Sequence, residues 1–104
     1  MKLYIAGRMT GVKDLNFPAF HRAAAHLRGL GHQVVNPAEI NPDHSKPWAE
    51  CMKTDIQHLV SCDGLALLPG WGRSRGARLE HHIASELGLQ IQHIEASVLE
   101  LDAL

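Results

Sequence analysis

The stretch GLALLPGWGRSRGARLE, residues 64–80, decides the fold. Its first five residues form an unbroken apolar run, as expected of a strand buried on both faces, and Pro69-Gly70-Trp71-Gly72 stops that run in a turn. Helical spacing takes over at Ser74 and continues to about Leu87, where Gly88 supplies a stop. Ala77, Glu80, Ala84 and Leu87 are spaced three, four and three, with Gly76 and Ile83 beside them, so Glu80 falls on the stripe that turns inward. Arg75, Arg78, His82, Ser85 and Glu86 fall on the opposite, solvated side. A strand, a glycine-rich turn and a helix in direct succession are the repeating unit of a parallel α/β sheet.

The same alternation extends in both directions. KLYIA, residues 2–6, reads as a strand ending in the glycine-bracketed turn GRMTG. From Asn16, a candidate cap, the positions Phe17, Phe20, Ala24, Leu27 and Leu30 step by three and four until Gly31. HQVVNP gives a second strand closed by Asn36-Pro37, followed by an irregular, proline-spaced loop to Lys46. Pro47 opens a helix reaching about Ser61, with Trp48, Met52, Ile56 and Leu59 on its apolar side. LQIQHI is a final strand and ASVLELDAL a closing helix. The expected architecture is one domain over residues 1–104, a small doubly wound parallel sheet in a flavodoxin-like three-layer α/β/α arrangement. Such sheets take ligands beyond the carboxyl ends of their strands, where the winding reverses. A strand order beginning 2-1-3 would set GRMTG beside PGWGRSRG.

Composition narrows the partners. With 45% hydrophobic residues, 20% charged residues and a formal charge of −1, the chain has no global field for a nucleic-acid polymer or a membrane surface. The cluster Arg73, Arg75 and Arg78 can still grip a single anion, so a small-molecule partner is expected. No apolar run is long enough for export or for a membrane span, and Cys51 and Cys62 lack metal-type pairing. These features point to the cytoplasm, with both thiols free and no cofactor. Cys62, just ahead of a strand, is expected to be buried rather than nucleophilic. His81 and His82 are adjacent and diverge on a helix, without HExxH spacing, so no metal site is expected. GxxxxGK[ST] is absent, and Arg75 stands where a dinucleotide fingerprint would place its third glycine.

Two inward carboxylates remain to be explained. Glu80 is one; Asp55, between Met52 and Leu59 on the apolar side of its helix, is the other. A buried carboxylate carries a large desolvation cost unless it has partners or borders a cleft. Each has a structural use, bonding backbone, hydroxyl or arginine, and a chemical one. Meeting at one site, the two would suit glycosidic chemistry, one attacking the anomeric carbon and the other handling a proton or orienting the sugar. Gly70, Gly72 and Gly76 permit close backbone approach, or simply a tight turn, while Ser74 offers an N-cap and a hydroxyl at a helix start whose free amides favour an anion. Tyr4, within the first strand, has a hydroxyl in need of a partner, and a carboxylate across the strand end would serve.

The ordered set Y-I-A-G at 4–7, D-I at Asp55-Ile56, C-D-G at 62–64 and S-R-G-A-R-L-E at 74–80 resembles the nucleoside 2-deoxyribosyltransferase family, over about residues 2 to 92. In length the chain is similar to that family's short members of uncharacterised function. The resemblance implies a flavodoxin-like fold, a homodimer or larger homo-oligomer with shared sites, and no cofactor. It implies Glu80 as the nucleophile that forms a glycosyl-enzyme intermediate, Asp55 as the acid that protonates the base or holds the sugar, and Tyr4 as the tyrosine that positions the glutamate. Ser74 lies six residues before Glu80, where free-nucleoside transferases carry an acid for the 5′-hydroxyl and related nucleotide hydrolases carry a phosphate-binding serine. A serine between Arg73 and Arg75 favours a nucleoside 5′-monophosphate, with water as final acceptor. Gly7, Arg8 and Thr10 of GRMTG are further phosphate or sugar contacts, although the turn departs from the serine-rich one of the hydrolases. The alternative is a nucleotide-binding or sensor module that keeps the pocket without turnover.

Overall fold

The computed structural model describes residues 1–43 and 45–100. Four strands, β1 (Lys2–Ala6), β2 (Gln33–Val35), β3 (Gly64–Leu67) and β4 (Gln90–His93), form one all-parallel sheet in the order β2-β1-β3-β4. Five helices surround it: α1 (Phe17–Gly29), α2 (Pro37–Ile40), α3 (Trp48–Leu59), α4 (Arg75–Glu86) and α5 (Ala96–Glu100). The chain is a doubly wound three-layer α/β/α protein.

Strand alternation divides the core in two. Leu3 and Ile5 of β1, with Ala66 and Leu68 at β3, pack against Phe20, Ala23, Ala24 and Leu27 of α1. Tyr4 and Ala6, with Leu65 and Leu67, face the other way, toward Leu59 of α3 and Ala77 and Ala84 of α4. The winding reverses between β1 and β3, whose paired ends, Ala6 opposite Leu67, open on the side of α3 and α4. Gly7 follows at once. A Cβ there would lie 2.7–2.9 Å from Leu68 side-chain atoms, so the chain leaves β1 only because this position has no side chain.

Several sequence expectations need correction. Asn16 does not cap α1 with its side chain: it is left-handed (φ 61) and its Nδ2 donates to the Arg8 carbonyl at 2.9 Å, closing the loop after β1. Asp14 and Leu15 (φ 54 and 55) are left-handed as well, within a 3₁₀ turn over Lys13–Asn16. Such backbone costs roughly 1–2 kcal/mol per residue. The segment read as an irregular loop after β2 starts with the single turn α2. Asn36, 1% exposed, caps that turn by accepting from Ala38 N at 3.0 Å. Arg28 of α1 donates to Glu39 at 2.7 Å and to the Val34 carbonyl at 3.1 Å, pinning α2 in place. Leu87 ends α4 in solvent rather than in the core. Trp71 is half-buried against the β3 and α4 core, and Val98 and Leu99 pack on the α1 side. The rest of the expected closing helix, residues 101–104, lies outside the described residues. Among the described residues no helix is long and apolar enough to cross a membrane.

Candidate active site

Tyr4 enters the site because β1 alternation turns it toward α3 and α4, where it is wholly buried. Glu80 comes from α4, one turn beyond Ala77 on the inward stripe, and is 5% exposed. Asp55, half-buried on α3, completes the set. The three side chains wall a cavity of about 190 Å³ at the carboxyl ends of β1 and β3, together with Gly7, Thr10, Ser74 and Gly76. This is the end of the sheet at which the winding reverses, where open α/β sheets hold ligands.

An adjoining basin of about 420 Å³ forms the mouth, lined by Arg8, Thr10, Arg73, Ser74, Arg75 and Gly76 with Trp48. The turns after β1 and β3 do lie side by side. Ser74 is the N-cap of α4, its Oγ accepting from Ala77 N at 3.1 Å, so its hydroxyl and the first amides of the helix face the same opening. The Arg75 guanidinium lies 3.8 Å over the Trp48 ring. Arg78 takes another direction, donating through Nη1 to the Gly72 carbonyl at 3.1 Å, and does not line the mouth.

The electrostatics are those of a dry carboxylate. Burial raises the pKa of Glu80 from 4.5 to about 8; the nearby Tyr4 hydroxyl opposes this shift and the charge of Asp55 adds to it. Tyr4 is pushed well above its ordinary range, first by burial and then by Glu80 and Asp55. The hydroxyl and carboxylate act on each other without closing a hydrogen bond of ordinary length, since both Tyr4 Oη and Glu80 Oε2 are buried and unpartnered. An unmade hydrogen bond costs about 1–3 kcal/mol per buried polar atom. Both residues line the cavity, so the two unpartnered atoms lie close behind its wall. Asp55 is better supplied: its Oδ1 accepts from Asn41 Nδ2 at 2.7 Å, and the same nitrogen reaches the Cys51 carbonyl at 3.3 Å.

Of the residues singled out from sequence, Tyr4, Asp55, Glu80, Gly7, Thr10, Ser74 and Gly76 meet in the cavity, and Arg8 stands at the mouth. Gly70 and Gly72 are not among its lining residues. Gly70 (φ 82) makes the left-handed step into a 3₁₀ turn over Trp71–Arg73, and Gly72 supplies the carbonyl that holds Arg78. Gly76 has a packing role too, since a Cβ there would come within 3.1 Å of Met52 Sδ. Asn41, Lys46 and Met9 were not anticipated as site residues. Trp48 was read as apolar helix surface but spans cavity and mouth at 39% exposure. Asn41 had one available signal, the repeated Asn-Pro of 36–37 and 41–42. Cys62 is buried, with its thiol pushed up by burial, and both cysteines are free. His81 stacks on Trp71 at 4.5 Å, outside the cavity. Among the described residues no group of three or more His, Cys, Asp or Glu is arranged to hold a metal ion.

No curated protein matches the chain. A family model described as a domain of unknown function, DUF4406, matches residues 1–93, a span that takes in every element from β1 to β4, and the chain therefore belongs to the DUF4406 family.

Proposed function

We propose that the protein cleaves the N-glycosidic bond of a nucleoside 5′-monophosphate, or of the corresponding nucleoside, through a covalent intermediate on Glu80. The observation that carries this is the Glu80 carboxylate, buried with Oε2 unpartnered in the wall of a cavity it shares with Tyr4 and Asp55. The cationic mouth supports a phosphorylated substrate. Arg8, Arg73 and Arg75, the Ser74 hydroxyl and the α4 N-terminus offer charge and donors to a 5′-phosphate.

In the proposed reaction the ionised Glu80 attacks C1′, forming a C1′–O ester bond as the C1′–N bond breaks. The electron pair of that bond goes to the base nitrogen, and Asp55 delivers the proton that lets the base leave. Water, or a second base in a transfer, then attacks C1′; Asp55 takes the incoming proton and Glu80 is released as carboxylate. The Tyr4 hydroxyl favours the ionised form of Glu80 that the attack requires. At neutral pH Glu80 holds a proton in the free protein, and the reacting state has that proton on Asp55 instead; activity governed by the free protein therefore falls as pH rises through about 8 and the pair loses it.

Incubation with a panel of nucleosides and nucleoside 5′-monophosphates, followed by chromatography of the released base, tests this. Release by the native protein, its loss by at least about a thousandfold in Glu80→Ala, and a glycosyl adduct on Glu80 in intact-mass spectra are expected. Ligand bound tightly but recovered unchanged would replace the enzyme with a nucleotide-binding module. Equal release by Glu80→Ala would end the nucleophile assignment.

A further inference from the structure

We propose that Asn41 is a positioning residue for Asp55, fixing the direction and state of that carboxyl in the reaction proposed above, on which its catalytic part rests. Asn41 is 7% exposed, and its Nδ2 lies 2.7 Å from Asp55 Oδ1 and 3.3 Å from the Cys51 carbonyl oxygen. Both acceptors belong to α3 and lie one helical turn apart, so the two N–H groups of one amide clamp the Asp55 side chain to its own helix. A backbone carbonyl can only accept, which assigns the nitrogen rather than the oxygen to this contact.

The clamp is backed by α2. Asn41 closes α2, its backbone N–H bonding the Pro37 carbonyl at 2.9 Å. That turn is fixed in place by the Asn36 cap and by Arg28 on Glu39. A single-turn helix with a buried asparagine at each end thus stands behind the cavity. Tyr4 of β1 and Glu80 of α4 feel the charge of Asp55, and Lys46 of the preceding loop and Cys51, one turn back on α3, line the same cavity. Tyr4 and Glu80 respond to the charge of Asp55, so orienting that carboxyl also sets the field at the proposed nucleophile.

Carboxyl carbon NMR on protein labelled at aspartate, with Asp55→Asn to assign the signal, reads the clamp directly. A hydrogen bond donated to a carboxylate favours its ionised form, so in Asn41→Leu the Asp55 midpoint rises by about one to two pH units. Asn41→Asp, of the same size, raises it further and serves should the leucine variant fail to fold. In turnover both variants lose about tenfold or more in kcat with KM changed by less than about twofold, and the proton-dependent limb of the rate profile moves in the same direction as the NMR midpoint. Asp55 titrations that superimpose on the native one in both variants would reduce Asn41 to a space-filling residue. If the native protein releases base from no substrate, the proposed reaction fails, while the Asp55 titration still decides the clamp.

Discussion

Glu80 buries a carboxyl on the inward stripe of α4, and Tyr4 beside it buries a hydroxyl that closes no hydrogen bond of ordinary length. Local cost of this kind collects where a protein binds or reacts, because a carboxylate with all its partners in place has little left to offer a ligand. The pair gives a sharp test. Tyr4→Phe removes the group that holds the Glu80 pKa down, so the Glu80 midpoint moves above about 8, read by carboxyl NMR or by the pH–rate profile. Thermal stability should hold or improve, since the lost hydroxyl is buried and unpaired. A midpoint that stays in place would show that Tyr4 does not act on Glu80. The spacing Ala77, Glu80, Ala84 was enough to turn Glu80 inward, and a place within an apolar strand was enough to bury Tyr4, though not to say which face of the sheet it takes. The Asn41 contact was not legible, because an amide fourteen residues from Asp55 reaches it only through the tertiary placement of α2.

At the scale of elements, the start of α4 carries two duties in one residue. Ser74 caps the helix and faces the basic mouth, so Ser74→Ala weakens both, with about 1 kcal/mol expected from the lost cap alone. Ser74→Asp separates them. Aspartate caps as well as serine and suits the positive helix end, so the melting temperature should stay the same or rise slightly. Its charge would repel a 5′-phosphate lying between Arg73 and Arg75, and affinity for a nucleoside 5′-monophosphate should fall at least about tenfold while that for the free nucleoside persists. Calorimetry with both ligands checks this; equal losses would place the phosphate elsewhere. The glycine-rich turn was only partly legible. Its composition is the same whether a glycine meets a ligand or makes a bend, and backbone geometry alone separates Gly76, which lines the cavity, from Gly70, which makes the left-handed step. The turn α2 escaped notice because four residues are too few for a helical period to show.

For the whole molecule, the three-layer fold was legible because short, wholly apolar strands alternate with one-faced helices, and such strands leave no side of the sheet open to water. The same layering places the ends of β1 and β3 at the cavity where Glu80 is buried, and this ties the chemistry of the site to the stability of the entire fold. Glu80 titrates at an ordinary 4.5 when unfolded and at about 8 when folded, so between those values the folded chain binds the extra proton. Its contribution is therefore complete below pH 4.5, declines as pH rises, and is lost above about 8, with a slope of up to about 1.4 kcal/mol per pH unit. Glu80→Gln keeps the shape and removes the titration. In denaturant unfolding the variant should match the native protein near pH 5 and exceed its stability by a few kcal/mol near pH 8.5, while losing the proposed base release at both. A constant stability difference across that range would mean that Glu80 is ionised in the folded chain at neutral pH, with a partner inside the cavity that the unbonded Oε2 does not reveal.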